Sequence, residues 1–240
     1  MPLRALASLV APPVCAGCGG HAGAAEPLCA ACRLELRWLD RAVEIGGLTV
    51  FAPLAYEGPA RAMVRALKFR GATIAAAAMA AQIAAAAPGA GVGGAAAVAG
   101  GAGAVAGGAG GPSPGVLARG VLARGVLVPV PLHPRRLRRR GFNQAALLAE
   151  ALGRRTGLRV ADPLRRTGSA RAQVGRDRSE RLTAVRGSIE FYPTGALPRR
   201  AIVVDDVVTT GATLGACADA LRAAGVAEVV AVAYARTPGR

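Results

Sequence analysis

The sequence has few aromatic residues, few acidic residues and almost no lysine. Aromatic side chains make up 3% of its 240 residues, and Lys68 is the only lysine among 30 Lys and Arg. It contains no stretch of about 20 strongly apolar residues, so we expect no membrane-spanning helix. The apolar run from Ala5 to Val10 is too short for a secretory signal, and we therefore expect a cytoplasmic protein.

The shortage of acidic residues leaves a strong positive charge. Fourteen Asp and Glu against 30 Lys and Arg give a formal net charge of +16. This excess favours anionic partners such as phosphorylated metabolites, nucleic acid or a membrane surface, although an arginine-rich composition without a functional purpose would also produce it. The densest basic run contains Arg135, Arg136, Arg138, Arg139 and Arg140.

Apolar runs alternate with helical patterns through most of the chain. This alternation predicts an α/β fold with a mostly parallel sheet flanked by helices. Ligands of such sheets bind at the carboxyl ends of the strands, so the polar strand-to-helix junctions are the candidate sites. The predicted strands are 48–55, 126–130, 201–204 and 229–233, and the predicted helices are 59–69, 73–87, 143–155 and 212–224.

A Gly/Ala-rich segment interrupts the alternation at about 88–124. It lacks a periodic apolar face and ends in two tandem copies of the five-residue unit GVLAR. Such a composition offers too little side-chain burial to offset the entropy of ordering, so we predict a flexible insertion. The resulting organisation is a small module at 1–40 and an α/β domain at 45–240 that carries the insertion.

The most informative junction joins a predicted strand to a predicted helix at 202–214. The apolar strand leads into Asp205 and Asp206, and a Thr/Gly loop at 209–213 then opens the helix. Free backbone N–H groups and the helix dipole make such a helix start an anion site. Gly211 permits close approach of the anion, and the threonines add hydroxyl donors. A ligand with a phosphate at one end and a diol near its middle satisfies both halves.

This junction resembles the 5-phosphoribosyl 1-pyrophosphate (PRPP) signature of type I phosphoribosyltransferases. The resemblance implies that Asp205 and Asp206 contact the ribose hydroxyls. It also implies that the loop binds the 5-phosphate. Members that act on purines often have a carboxylate where this chain has Thr209, which makes purine salvage a less favoured role. The implied phosphate-binding residues are Thr209, Thr210, Gly211, Ala212 and Thr213.

The second polar junction follows the strand at 126–130. His133 leads into the arginine run, which ends in Gly141-Phe142-Asn143-Gln144. Arginine binds phosphate bidentately, and a solvated basic loop before a helix capped by Asn143 is the alternative interpretation. We read His133 as a loop residue and not as a general base. The candidate pyrophosphate-binding residues are Arg135, Arg136, Arg139, Arg140 and Gly141.

The segment from Pro129 to Gln144 resembles the "PVP…R…RGFNQ" stretch of the ComF family, whose members are competence-associated and phosphoribosyltransferase-like. Two further segments resemble this family. They are Gln173 to Arg181, which departs from the usual pattern at Arg176, and Lys68-Phe69-Arg70-Gly71. The resemblance covers nearly all of the chain outside 72–125. It implies a phosphoribosyltransferase-like fold and an association with competence.

Four of the five cysteines form two CxxC pairs near the N-terminus. Cys15 with Cys18 and Cys29 with Cys32 supply four soft ligands, enough for a tetrahedral structural Zn²⁺ site. In a cytosolic chain this spacing favours metal over disulfides, with a redox pair as the alternative. ComF proteins commonly begin in this way. His21 lies between the pairs as a bystander, and we expect Cys217 to be a small buried residue.

Two functions follow from these residues. The first is Mg²⁺-dependent transfer of 5-phosphoribose from PRPP to an unidentified nitrogen acceptor. The second is a non-catalytic role in DNA uptake, in which the chain binds single-stranded DNA or a helicase-like competence or recombination protein. Only Phe142 interleaves with the arginine run, so the sequence shows no platform for base stacking.

Overall fold

The computed structural model describes residues 14–23, 26–39, 41–69, 72–87, 121–167, 189–193 and 195–238. Most of the predicted insertion and the whole 173–181 segment lie outside these residues. The helices that build the fold are α1 (Ala30–Leu34), α2 (Gly58–Phe69), α3 (Ala72–Ala86), α4 (Pro134–Arg140), α5 (Gln144–Thr156) and α6 (Ala212–Ala223). The strands are β1 (Val43–Ile45), β2 (Leu48–Phe51), β3 (Leu54–Ala55), β4 (Val126–Pro129), β5 (Arg159–Val160), β6 (Leu164–Arg166), β7 (Ile189–Phe191), β8 (Arg200–Val208) and β9 (Glu228–Arg236).

A mostly parallel sheet forms the centre of the described molecule. The strands lie in the order β1-β2-β9-β8-β4-β5, and β3 also pairs with β9. The β1–β2 pair is antiparallel, whereas the other pairs of this sheet are parallel. β6 and β7 form a separate antiparallel pair. The predicted α/β class is therefore confirmed.

Helices cover both faces of the sheet, because successive buried residues of β8 join two different apolar clusters. Ile202 and Val204 point to one side, where they join the apolar cluster formed with α2, α3 and α5. Val203 points to the other side and packs in the cluster that includes α6. Cys217 of α6 is fully buried in this second cluster, which confirms its predicted role as a small core residue.

The N-terminal cysteine segment packs against the same core as the sheet. Cys15, Leu28 and Cys32 are buried members of the cluster that contains α2 and α3. The following segment runs along β3, where Trp38 forms an isolated antiparallel bridge with Leu54. The module is therefore joined to the α/β unit by apolar contacts as well as by the chain.

Several predicted boundaries differ from the structure. The predicted strand 48–55 is divided into β2 and β3, and the predicted strand 229–233 extends over Glu228–Arg236. The predicted strand 201–204 continues to Val208, because β9 pairs with β8 as far as Val208 and Arg236. Asp205 and Asp206 therefore lie within the strand and not after it. The arginine run, which we interpreted as a loop, is helical from Pro134 to Arg140. Pro134 at the first helical positions and His133 as the N-cap explain the start of this helix.

Two further observations bear on the predicted organisation. Val121 and Leu122, which belong to the second GVLAR copy of the predicted insertion, are buried in the core.

Within the described ranges, none of the helices combines the length and apolar character needed to cross a membrane.

Candidate functional site

The two aspartates of β8 lie where the neighbouring strand β4 ends. The pairing of β4 with β8 finishes at Pro129 and Val204, and one further hydrogen bond joins the Val130 N–H to the Val204 carbonyl at 2.9 Å. Asp205 and Asp206 follow directly on β8, which continues beside β9. The acids therefore stand at the carboxyl edge of the sheet, the position where parallel sheets bind ligands.

Asp206 is buried and forms an ion pair with the only lysine of the chain. Its side chain is 6% exposed, and the Lys68 Nζ lies 2.9 Å from its Oδ2. Lys68 belongs to the last turn of α2. Arg140, at the end of α4, also interacts electrostatically with this carboxylate. Partial burial lowers the pKa of the Arg140 guanidinium, and the negative charge of Asp206 opposes that shift. Asp206 is thus flanked by cations from two helices.

Asp205 has a different environment, because consecutive residues of a strand point to opposite faces. It is half-buried, and burial followed by the repulsion of Asp206 raises its pKa well above the ordinary value of 3.8. Arg166, at the end of β6, interacts electrostatically with Asp205 on this side. Desolvation and the nearby Arg136 lower the pKa of Arg166, while Cys217 and Asp205 raise it. Asp205 therefore also has a cation nearby.

The Thr/Gly loop forms an open depression beside Asp205. Asp205 lines this depression, whereas Asp206 does not. The loop ends at Gly211, which caps α6 with a left-handed φ of 74°. The remaining lining residues are Val207, Val208, Thr209, Thr210, Gly211, Ala212, Thr213 and Leu214.

The polar groups of this depression suit a small anion. Thr209 and Thr210 are exposed, and the first backbone N–H groups of α6 open toward the same loop. One of these groups is already engaged weakly, since the Ala212 N–H donates to the Thr210 Oγ1 at 3.4 Å. The predicted phosphate-binding residues are thus brought together in one loop.

The predicted pyrophosphate residues lie on α4, which ends at Gly141 with a φ of 83°. Arg136, Arg139 and Arg140 share one face of this helix, because residues three and four apart are neighbours. Arg140 is half-buried and donates to the Gln144 Oε1. Arg135, Arg136 and Arg139 are exposed, whereas the half-buried Arg140 interacts electrostatically with Asp206.

Asn143 fixes the beginning of α5 against β4. Its Oδ1 accepts a hydrogen bond from the Ala145 N–H, which confirms the predicted N-cap. Its Nδ2 donates to the Val130 carbonyl at 3.0 Å. One side chain therefore links the end of β4 to the start of α5.

The four N-terminal cysteines form one cluster. Their sulfur atoms all lie within 4.8 Å of one another, and the Cys18 and Cys29 sulfurs are 3.8 Å apart. Tetrahedral zinc with bonds of about 2.3 Å requires sulfur separations of about 3.8 Å, so the thiols fit this metal. Burial opposes ionisation of Cys15, but amide hydrogen bonds, including that from Cys29 at 3.3 Å, lower its pKa to about 6. His21 is not part of the cluster.

We expect Gly17→Ala to weaken zinc binding about tenfold, because a Cβ at this position would lie 2.8 Å from the Cys32 Sγ. Competition with a chromophoric chelator measures the affinity. Gly23→Ala is the control, since its Cβ would meet only the flexible Glu26 side chain at 3.5 Å. Equal affinities of the two variants would show that the cluster does not hold the metal in the described geometry.

Comparison with known proteins gives two curated relatives. Over 116 residues the chain is 34% identical to Competence protein F of Haemophilus influenzae, covering 45% of this chain and 49% of the relative. Over 104 residues it is 35% identical to Competence protein ComFC of Streptococcus pneumoniae, covering 42% of this chain and 44% of the relative. The chain is similar to these two competence proteins over less than half of its length. The alignments span about half the length of these relatives, and no family model matches the chain.

The structure places two further basic residues beside the acids, which the sequence analysis did not assign to the site. Lys68 was noted only as part of a family element, yet it pairs with Asp206. Arg166 was not predicted as a site residue, because it lies at the end of a short strand that has no apolar pattern in the sequence. A basic residue beside each acid was foreseeable only as a requirement of charge balance, since no local pattern marks which residue supplies it.

Proposed function

We propose that the chain is a ComF-type phosphoribosyltransferase that takes PRPP as its donor. A nitrogen nucleophile forms a bond to C1 of the ribose, the C1–O bond to pyrophosphate breaks, and pyrophosphate leaves with the electron pair. The nitrogen then releases its proton to solvent. The chain contributes orientation and charge stabilisation to an oxocarbenium-like transition state, so it needs no strong nucleophile of its own.

The observation that carries this proposal is the placement of Asp205 beside the 209–213 loop. The carboxylate and the loop line one open depression at the carboxyl edge of the sheet. A sugar phosphate has hydroxyl groups a short distance from its phosphate. In this depression the Asp205 carboxylate can accept hydrogen bonds from such hydroxyls, and the N–H and hydroxyl groups of the loop can donate to the phosphate. The likeness to curated competence proteins supports the family expectation but names no substrate.

The charge around the acids also supports an anionic donor. Lys68, Arg140 and Arg166 stand beside Asp205 and Asp206, so the immediate site has more cations than carboxylates. A Mg²⁺ ion bound with the donor would neutralise the pyrophosphate oxygens, and the half-buried Asp205 is the carboxylate best placed to share it. The arginines of α4 would orient the leaving group bidentately.

PRPP binding and turnover test this function together. We expect calorimetry to detect PRPP binding that strengthens with Mg²⁺, and we expect pyrophosphate release when amine and nucleobase acceptors are screened. PRPP binding without pyrophosphate release with any acceptor would support the donor site but refute the transferase assignment. Absence of binding to the zinc-loaded protein would refute both.

A second candidate function is a non-catalytic role in DNA uptake, and the exposed arginines of α4 favour it. Arg135, Arg136, Arg138 and Arg139 are all exposed on one short helix. The names of the two curated relatives place those proteins in competence, and we propose the same association here. The partner would be single-stranded DNA or a helicase-like protein.

Filter binding with single-stranded DNA distinguishes this candidate. Phosphate contacts predict that the affinity falls steeply as salt rises. Competition by PRPP would place both ligands on the same surface. DNA binding that persists in the presence of saturating PRPP would assign the arginines to a separate role.

A further inference from the structure

We propose that the two aspartates have separate tasks: Asp205 contacts the sugar, whereas Asp206 holds Lys68 as a cation for the pyrophosphate of the donor. This inference rests on the proposed function and differs from an arrangement in which both acids contact the ribose. It assigns a positioning role to Asp206 and a binding role to Lys68.

The first argument is the difference in access between the two acids. Asp206 is 4% exposed as a residue, and it does not line the depression formed by the loop. Asp205 does line that depression and is only half-buried. A sugar seated beside the loop therefore reaches Asp205 directly, but it would have to displace neighbouring groups to reach Asp206.

The second argument is the way Asp206 is already engaged. Its Oδ2 forms an ion pair with the Lys68 Nζ at 2.9 Å, and no hydrogen bond to this buried oxygen is present among the described residues. A buried carboxylate is costly unless a cation stays beside it, so removal of Lys68 to make room for a hydroxyl is unfavourable. The ion pair is thus better suited to persist when the donor binds.

The third argument is what the pair leaves available. The Lys68 side chain is 26% exposed, and an ammonium has three N–H donors, so Lys68 can stay beside Asp206 and still donate to a ligand. Arg140 is influenced by the same carboxylate from α4, the helix that follows the end of β4. Asp206 therefore holds Lys68 and attracts Arg140 at one edge of the sheet, where the two phosphate groups of a pyrophosphate would be neutralised together.

Two simple ligands separate these tasks. Ribose 5-phosphate contains the sugar and the loop-bound phosphate, whereas inorganic pyrophosphate contains only the leaving group. At a fixed Mg²⁺ concentration, we expect Lys68→Met to weaken pyrophosphate binding about tenfold or more, because the variant loses one charge-assisted hydrogen bond to this ligand. Its affinity for ribose 5-phosphate should stay within about twofold of that of the unaltered protein.

The two aspartate variants should differ from each other in the ligand whose affinity they lose. Asp206→Asn should behave as Lys68→Met does, and Asp205→Asn should lose ribose 5-phosphate affinity while it keeps pyrophosphate affinity. Lys68→Arg retains the charge and should restore pyrophosphate binding. Arg65→Met is the matched control, because Arg65 is an exposed cation of the same helix; it should change neither affinity.

Folding is controlled with the double variant Lys68→Met/Asp206→Asn, which leaves no unpaired buried charge. Its loss of pyrophosphate affinity should equal that of Lys68→Met alone, since the two residues act as a unit. Loss of ribose 5-phosphate affinity in Asp206→Asn, with pyrophosphate affinity intact, would overturn the division of tasks. If the unaltered protein binds neither ligand nor PRPP, the proposed function itself fails.

Discussion

Asp205→Asn combined with Asp206→Asn should remove measurable PRPP binding. The first substitution withdraws the acceptor for the sugar hydroxyls, and the second withdraws the anchor of Lys68. A hydrogen bond to a charged group contributes about 1.5–3 kcal/mol, so the loss of two such bonds should lower the PRPP affinity by at least about a hundredfold. Calorimetry in the presence of Mg²⁺ measures this change.

The control for that variant is Glu150→Gln, which removes an exposed carboxylate of α5 whose arginine partner lies 3.9 Å away. An exposed ion pair of this kind contributes little, and we expect unchanged PRPP affinity and unchanged stability. Circular dichroism of the double variant establishes that its sheet is intact. Retention of PRPP affinity by a folded double variant would refute the assignment of the donor to this edge of the sheet.

Gly211→Ala should be the most damaging single substitution of the loop. The residue has a φ of 74°, and a Cβ there would lie 2.5 Å from the Ile45 Cγ2. Left-handed strain costs about 1–2 kcal/mol and overpacking about 1–3 kcal/mol, so the free energy of unfolding should fall by about 2–5 kcal/mol. Denaturant titration measures this loss.

Gly157→Ala is the matched control for Gly211→Ala. Gly157 has the same φ of 74° as the cap of α5, but its Cβ would meet nothing within 4 Å. It therefore reports the backbone strain alone, and the difference between the variants reports the clash with Ile45. If the two variants lose equal stability, the close packing of β1 against the loop does not exist in solution. PRPP affinity should fall only in Gly211→Ala.

The strands and helices of the main sheet could be predicted because their residues are uniformly apolar or periodic. Val126–Pro129 and Gln144–Thr156 match the predicted 126–130 and 143–155 closely. The extension of β8 through Asp205 and Asp206 could not be predicted, since it depends on pairing with β9 and not on the residues themselves. The short strands β5, β6 and β7 have three residues or fewer and lack a periodic signal.

The candidate site was predictable as a set of residues but not as an arrangement. The DDVVTTGAT motif places the acids and the loop in sequence, and the structure gathers the loop around one depression. The separation of Asp205 from Asp206 follows from strand alternation combined with the helices on each face. The pairing of Asp206 with Lys68 joins residues far apart in sequence, so only the folded chain reveals it.

The bridge between Trp38 and Leu54 has a practical consequence for spectroscopy. Trp38 is the only tryptophan of the chain, and it is 49% exposed at the junction of the cysteine segment with the sheet. Its fluorescence emission therefore reports on one place in the molecule. A red shift of that emission on chelation, before the far-ultraviolet signal changes, would record the cysteine segment separating from an otherwise intact sheet.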